Sequence, residues 1–443
     1  MSSPQTLGTA ADQQSTVGGQ NHPARGPSPR QARRSAVRVV RTLREAGHAA
    51  LFAGGCVRDE LLGHRPTDYD VVTDATPDRV AELFPRTNLV GAAFGVVLVR
   101  HGPGRMTEVA TFRTDADYSD RRRPDSVVFS TPEEDAKRRD FTINAIFLDP
   151  LVPDLESGVI DHVGGRRDLT RGLVRAVGDP DRRLAEDHLR ALRAVRFTCR
   201  LGFRLERRTG EAIERHAREL AGVSRERVGE ELRRTLAHTA AARAINLIHR
   251  LGLDGPVLET DPLGPIPLPM SRRAARHRSF IASLAAWLLD RGLDPASPSE
   301  IESAVSGARA ALCLSNKERD ALRGGLVCFT ALRENWDGLS VAERKRAMAR
   351  PGFPEGFRLV ASADRARGWA LMRQFEALAA IGGGIRPEPY ITGEDLIGLG
   401  VRPGPGFQKW LDRLYDAQIE GQLVTREDAI RRAREMLGEQ NAT

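Results

Sequence analysis

Cysteine is scarce in this sequence, and where it occurs it is scattered. Cys56, Cys199, Cys313 and Cys328 stand far apart and form no Cys-x-x-Cys pair. That spacing argues against a zinc site, and with no secretory leader it fits a reduced, cytoplasmic setting. Long apolar runs are missing as well. The longest, Phe280 to Leu289, is about half the ~20 residues that a bilayer-spanning helix requires. The first thirty residues lack the apolar segment of a signal peptide, so a soluble protein without a membrane partner is expected. Aromatic residues contribute only 5% of the chain. Lysine is almost absent too: four of the 67 basic residues are lysine and the rest are arginine. Arginine grips phosphate oxygens in pairs where lysine acts as a point charge. With 59 acidic residues the net charge is +8, which suits a polyanionic partner. Forty per cent hydrophobic residues exclude a wholly disordered chain, and 443 residues are enough for two to four folded units.

Residues 1–30 are rich in Gly, Ser, Gln, Thr and Pro and read as a disordered tail, with order beginning near Gln31. Ala36, Val39, Val40, Leu43 and Ala46 recur at helical spacing up to the stop at Gly47. A short apolar run from Ala49 to Ala53 ends at Gly54-Gly55 and reads as a strand entering a turn, followed by a helix over Val57 to Leu62. Asp68 to Val72 is the next expected strand. Thr76-Pro77 starts a helix reaching about Phe84. Gly95 to Arg100 and Met106 to Phe112 form two strands joined by a Gly-Pro-Gly turn. Beyond about residue 181 the pattern is almost purely helical, with one segment expected from Leu184 to Phe203 and another from Arg225 to Leu236. Prolines between Gly255 and Pro269, and the Gly382-Gly383-Gly384 run, mark seams; Thr392-Gly393-Glu394-Asp395 opens a capped helix.

Three clusters carry chemistry. Gly54 and Gly55 let backbone N–H groups approach an anion, and Arg58 stands one turn on to clamp a triphosphate; a tight strand–helix turn is the plainer alternative. Asp68 and Asp70, two apart on a strand, project to one face, where like charges need a cation. Mg²⁺ takes one or two carboxylates together with substrate phosphates, and Glu108 on the later strand offers a third acid, enough for two ions. A solvated Asp-x-Asp turn is the alternative. Asp187 and Arg190, three apart on the expected helix, are neighbours on one face; they form either a surface ion pair worth ~0.3 kcal/mol or a device for reading a base. Arginine donates to a base acceptor, and aspartate accepts from the exocyclic amine of cytosine or adenine. Uracil and guanine present a carbonyl oxygen there and are rejected.

The run Gly54-Gly55-Cys56-Val57-Arg58-Asp59-Glu60-Leu61-Leu62-Gly63, continuing to Thr67-Asp68-Tyr69-Asp70-Val71-Val72-Thr73, resembles the head motif of class II tRNA nucleotidyltransferases of the polymerase β superfamily. Arg138-Arg139-Asp140-Phe141-Thr142-Ile143-Asn144-Ala145 resembles that family's second motif. Glu186-Asp187-His188-Leu189-Arg190 with Leu192-Arg193-Ala194-Val195-Arg196-Phe197 resembles its third. The resemblance implies that Arg139, Asp140 and Asn144 hold the sugar and phosphates of the incoming nucleotide. It gives Asp187 and Arg190 the choice of base with Glu186 orienting the arginine, and adds Arg193 and Arg196 to the nucleotide-binding set. Thr111 to Phe129, which includes the charged run Asp115 to Pro124, resembles the flexible loop of CCA-adding and A-adding members. Bacterial poly(A) polymerases share all three motifs, but Gly91 to Val97 and the tail run from Ile391 resemble the tRNA-directed group.

The expectation is therefore an α+β chain: a disordered tail over 1–30, a polymerase-β-like nucleotidyltransferase head with a mixed sheet over 31–175, then an all-α neck over 176–255, body over 256–385 and tRNA-binding tail over 386–443. The implied activity is metal-dependent addition of CMP and AMP, from CTP and ATP, to the 3′ end of tRNA. The implied catalytic and metal-binding acids are Asp68, Asp70 and Glu108, with Mg²⁺ as cofactor. A-only addition, poly(A) synthesis and non-catalytic RNA binding are the alternatives. RNA would be recognised mainly by shape and backbone, because stacking residues are few.

Overall fold

A serine followed by proline starts the first helix. In the computed structural model, which describes residues 28–88, 95–102, 105–115, 127–261, 266–404 and 406–441, α1 spans Pro29–Glu45. Ser28 accepts from the Gln31 N–H and the Gln31 side chain answers in a capping box, so order begins two residues before the expected Gln31. Gly47, with φ +87°, closes the helix as expected. Residues 1–27 of the expected 1–30 tail, residues 91–94 of the Gly91–Val97 run, residues 103–104 of the Gly-Pro-Gly turn and residues 116–126 of the expected Thr111–Phe129 loop lie outside the described residues, while Pro29 and Arg30 belong to α1.

The described chain divides into two units. The first gathers residues up to Thr114 with Val127–Asp135 and Ile146–Ile160. After α1 come β1 (Ala50–Ala53), α2 (Gly55–Leu61), β2 (Asp70–Thr73), α3 (Pro77–Leu83), β3 (Thr87–Asn88), β4 (Val96–Gly102), β5 (Arg105–Thr111) and the short pair β6 (Arg113–Asp115) and β7 (Val127–Phe129). The chain continues through α4 (Pro132–Arg138), β8 (Ile146–Leu148) and β9 (Val159–Asp161). Seven strands form one mixed sheet in the order β3-β4-β5-β2-β1-β8-β9. The contact of β2 with β5 is parallel, whereas β1 runs antiparallel to β2 and β8. Phe52, Val71, Val97, Val109 and Phe147 are buried in this unit.

The second unit gathers Ala136–Ala145 with the chain from Asp161 onward, and it is helical, as the sequence pattern implied. It contains α5 (Gly165–Thr170), β10 (Leu173–Val174), α6 (Pro180–Glu186), α7 (Arg190–Arg200), β11 (Arg204–Leu205), α8 (Arg207–Arg215), α9 (Arg225–Leu236), α10 (Ala241–Arg250), α11 (Asp254–Leu258) and α12 (Pro269–Ala274). There follow α13 (Phe280–Asp290), α14 (Pro298–Leu312), α15 (Asn316–Glu334), α16 (Val341–Met348), α17 (Phe353–Ala363), α18 (Arg365–Ala380), α19 (Gly393–Gly398), α20 (Phe407–Ile419) and α21 (Arg426–Asn441). No helix among the described residues is long and apolar enough to cross a membrane. The expected single helix over Leu184 to Phe203 is instead broken between α6 and α7. Asp187, with φ −158° and ψ 102°, leaves the helical region there, and its carboxylate accepts from the Leu189 N–H at 3.1 Å, a local bond that competes with helix continuation.

Helix α9 is pinned from three points. Its Gly229 approaches α14 so closely that an added Cβ would lie 2.1 Å from the Leu312 carbonyl oxygen. Arg225 donates to the Ala311 carbonyl at 2.7 Å, and Arg233 donates to those of Leu312 and Cys313 at 3.3 and 3.0 Å. These carbonyls belong to the C-terminal end of α14, where backbone acceptors lack helical donors and positive charge is favoured. Arg233 also forks onto Glu318 at 2.6 and 2.9 Å.

Gly229→Ala is expected to lower stability by about 1–3 kcal/mol, the usual cost of forcing a methyl into a packed contact, read from urea midpoints. Arg233 holds the Glu318 carboxyl at about 2, below its ordinary 4.5, with the Ser315 N–H and hydroxyl helping and burial opposing. Because the folded value is the lower one, this stabilisation is complete above pH ~4.5 and is lost as pH falls toward 2. The stability difference between the native protein and Glu318→Gln is therefore expected to be constant near neutrality and to shrink across that window.

Candidate active site

In the first unit the site grows from the last residue of β1. Ala53 pairs with Asp70 of β2, Asp70 with Glu108 of β5, and Glu108 with Leu98 of β4, so these residues occupy one row across the sheet. Partners in register share a face, which puts the Asp70 and Glu108 carboxylates side by side. The next residue, Gly54, adopts φ +75° and ψ −131°, a conformation open essentially to glycine, and turns the chain into α2. Gly55 has no such requirement: its open side meets only an Arg58 nitrogen, 3.6 Å from an added Cβ.

The same turn explains why β2 begins at Asp70 and not at the expected Asp68. Extending the ladder would pair Gly54 with Tyr69, and Gly54 has already left the sheet. Asp68 therefore precedes the strand and is exposed, while Tyr69 is buried behind it. Tyr69 is held by the Phe52 ring, 5.1 Å away, and donates to Glu60 at 2.5 Å; Glu60 in turn pairs with Arg33 at 2.8 Å. The Glu108 carboxyl sits above its ordinary value, first through lost hydration and then through repulsion from Asp68, with Arg113 acting the other way. Asp68 thus faces the same region electrostatically without sharing the strand. Among the described residues no three His, Cys, Asp or Glu side chains converge tightly enough to hold a metal ion by themselves. The three expected acids are thus arranged as a pair in register, Asp70 and Glu108, with Asp68 close by. Arg58, expected to clamp phosphate, is 5% exposed and pairs with Asp59 at 2.7 Å.

In the second unit the centre is α7, which carries an arginine at every third position. Arg190 pairs with Glu186 of α6 at 2.7 Å, Arg193 with Asp140 at 2.7 Å, and Arg196 with Glu231 of α9. Three elements are thereby fastened to one helix by charge-assisted bonds. Asp140 is 9% exposed and accepts four hydrogen bonds, from the Phe141 N–H, the Asn144 amide and two nitrogens of Arg193. Burial alone would raise its carboxyl; Arg193 and Asn144 outweigh burial and hold it below the usual range. Its lone pairs are taken, so it fixes Arg193 and Asn144 and has no acceptor left for a ligand. Arg139 donates to the Asn144 carbonyl at 3.2 Å. Arg196, 7% exposed, lies over the Phe197 ring at 4.3 Å and pairs with Glu231.

Asp187 and Arg190 are not on one helix, which corrects the spacing argument made from the sequence. They flank the α6–α7 break, joined by a backbone bond from the Arg190 N–H to the Asp187 carbonyl at 3.1 Å. Each side chain has its own tether. Glu186 accepts from both Arg190 and Arg183 at 2.7 Å, while Arg227 of α9 donates to Asp187 at 2.7 Å. Arg183 and Arg227 were missed by sequence reasoning. Arg183, three residues before Glu186, was accessible to helical spacing, whereas Arg227, forty residues from Asp187, was not.

Residues 50–175 match the family described as the poly A polymerase head domain, and residues 202–259 match the probable RNA and SrmB-binding site of polymerase A. A CCA-adding enzyme of Bacillus pumilus is 45% identical over 231 residues, covering 52% of this chain and 56% of that protein. That of Bacillus subtilis is 44% identical over 214 residues, covering 48% and 52%. The chain spans about half the length of these curated relatives. Among solved structures, the Bacillus stearothermophilus CCA-adding enzyme in complex with CTP superposes with a TM-score of 0.72 at 29% identity, covering 94% of this chain and 99% of that one. The Thermotoga maritima CCA-adding enzyme complexed with tRNA shares the fold, with a TM-score of 0.63 at 20% identity over 91% and 95%.

Crowding Glu108 beside Asp68 and Asp70 without a cation is unfavourable. Glu108→Gln is expected to raise the thermal midpoint of metal-free protein by about 2 °C and to shrink the further rise that a divalent ion produces. A lowered metal-free midpoint would show that the acids do not repel.

Proposed function

We propose, starting from this chain's membership of the family of class II CCA-adding enzymes and poly(A) polymerases, that it adds CMP and AMP to the 3′ end of tRNA without a nucleic-acid template. CTP and ATP are the donors, pyrophosphate is released, and the setting is cytoplasmic. The observation that carries this reading is the tethered pair Asp187 and Arg190, which offers an acceptor and a donor at one helix break.

Divalent metal is general to the nucleotidyltransferase family, and the residues present fit it. Asp70 and Glu108 stand in register, and Glu108 is raised partly by the charge of Asp68, a strain that a cation relieves. Carboxylates completed by substrate phosphates suit Mg²⁺, with Asp68, Asp70 and Glu108 as its holders. When bound, the ion supplies a lowered pKa for the attacking hydroxyl and neutralises charge on the transferring phosphoryl group. The Gly54–Gly55 turn receives the triphosphate. Asp140 positions Arg193 and Asn144, which face the sugar and phosphates together with Arg139. Asp187 accepts from the exocyclic amine of cytosine or adenine, and Arg190 donates to the neighbouring ring acceptor. A two-point contact of this kind is worth roughly 1–3 kcal/mol of discrimination against the wrong base. The helical stretches 176–255, 256–385 and 386–443 serve as neck, body and tail, with the tail engaging tRNA.

Incubation with tRNA lacking its terminal CCA, with each nucleoside triphosphate singly and combined, tests the reading. CCA addition from CTP and ATP, absent in Asp70→Asn, is expected; A-only addition, a long poly(A) product or no product would overturn it. Arg227→Met frees Asp187 to swing, so the preference for CTP over UTP is expected to fall about tenfold, matching ~1.4 kcal/mol of lost discrimination. Steady-state kcat/KM for both nucleotides measures it.

A further inference from the structure

Aromatic residues are few in this chain, and one of its four tryptophans is set on the surface. Trp369 of α18 is 62% exposed, and Met372, one turn on, is 38% exposed. Two neighbouring apolar side chains of that size, both exposed on one helix face, form a small patch that invites a covering partner. They line a groove of about 430 Å³ whose walls include Arg276, His277, Phe357 and Arg365.

The floor of this groove is stiff. Phe357 packs on Phe375 at 5.2 Å, and Phe375 lies against Trp336 and Phe353 at 5.4 and 5.1 Å. Gly368 brings α18 against α17 so tightly that an added Cβ would sit 2.9 Å from Ala361. The rim is positive. Arg365 and Arg373 are exposed and have no carboxylate partner among the described residues. Arg276 donates to the Ala361 carbonyl and to His277, keeping its charge uncompensated. The nearby Glu355 is occupied by Ser279 and Arg358; Glu376, exposed one turn beyond Met372, is the acidic residue on this face of α18. Burial and then the neighbouring Arg276 and Arg358 hold His277 below its ordinary value, against Glu355, so at neutral pH its ring is a flat uncharged surface.

A flat aromatic face ringed by arginines is the chemistry that takes an unstacked nucleobase while cations hold its phosphates. It is a poor protein–protein contact. Two apolar side chains fall far short of the ~1,200 Å² or more that a stable association buries, and the arginine rim repels a second copy of itself. We propose that the Trp369 groove binds an unpaired base of the tRNA substrate by stacking on the indole, with Arg365, Arg373 and Arg276 on the flanking phosphates. This inference rests on the tRNA-directed activity proposed above and adds a base-stacking contact to it.

The full chain is titrated with tRNA lacking CCA, comparing native protein, Trp369→Ala, Trp369→Phe and the Arg365→Glu, Arg373→Glu double variant. Exposure of Trp369 means that none of these changes disturbs the core. Loss of one stacked base is expected to weaken tRNA binding roughly tenfold in Trp369→Ala, with Trp369→Phe retaining most of the affinity and KM for CTP unchanged. The double glutamate variant is expected to weaken binding at low salt and to flatten its salt dependence. Equal tRNA affinity in Trp369→Ala and native protein would overturn the proposal. So would a native dimer, seen by sedimentation, that Trp369→Ala splits, since the groove would then be a contact between copies. If native protein binds no tRNA and extends none, it is the proposed function that has failed; if native protein extends tRNA and Trp369→Ala binds it equally well, only the groove's role has.

Discussion

A desolvated arginine beside a desolvated carboxylate is tolerable only when each satisfies the other, a condition that helix α7 meets fully at Arg196–Glu231 and in part at Arg190–Glu186 and Arg193–Asp140. Arg190, Arg193 and Arg196 point successively to Glu186, Asp140 and Glu231, residues from three separate stretches of the chain. Because breaking a buried pair strands a charge, each bond fixes its partner's position more firmly than an apolar contact of the same area. The consequence reaches Asp187 and Arg190, the residues proposed to read the base. Glu186 is itself fixed, so Arg190 is aimed; α9 is fixed through Glu231 and through its grip on the end of α14, so Arg227 is placed to hold Asp187.

The acids of the first unit follow the opposite rule. Asp70 and Glu108 are brought into register by a parallel pairing of β2 and β5, and the charge of Asp68 works against ionisation of Glu108. Where α7 cancels charge, these central strands accumulate it. Accumulated like charge costs stability in the free protein and becomes favourable only when positive charge arrives, which is the behaviour of a site and not of a scaffold.

Much of this was legible before any coordinates. Gly47, the Thr76 cap, the capping box at Thr392 and the limits of α9 follow from local rules, because one or two residues suffice to end or begin a helix. Asp70 and Glu108 fall on the strands expected for them because strand periodicity is simple, whereas Asp68 does not. What escaped depends on distant partners. β2 starts late because its neighbour β1 ends at a glycine turn, a fact about another strand. The α6–α7 break escaped because Asp187 lies inside a run with good helical spacing, and only its bond to Leu189 shows the cost of continuing. The pairing of Arg196 with Glu231 escaped for the same reason, since that carboxylate lies thirty-five residues away on another helix.

The break between α6 and α7 has a physical use. Two side chains on one continuous helix share its motion and its rotamer freedom, and ordering both on binding costs roughly 0.5–1.5 kcal/mol for each. That is comparable to the discrimination a two-point contact provides. At the break, Asp187 is held by Arg227 and the Leu189 N–H while Arg190 is held by Glu186, so the ordering cost is met during folding and the difference between an amine and a carbonyl on the base is left intact. A carboxylate oxygen also has two lone pairs, so Arg227 can tether Asp187 without consuming all its acceptor capacity. Asp140, with all its lone pairs committed, lies at the other end of the same scale: one aspartate keeps the acceptor capacity that the proposed base contact needs, the other is satisfied and holds its neighbours still.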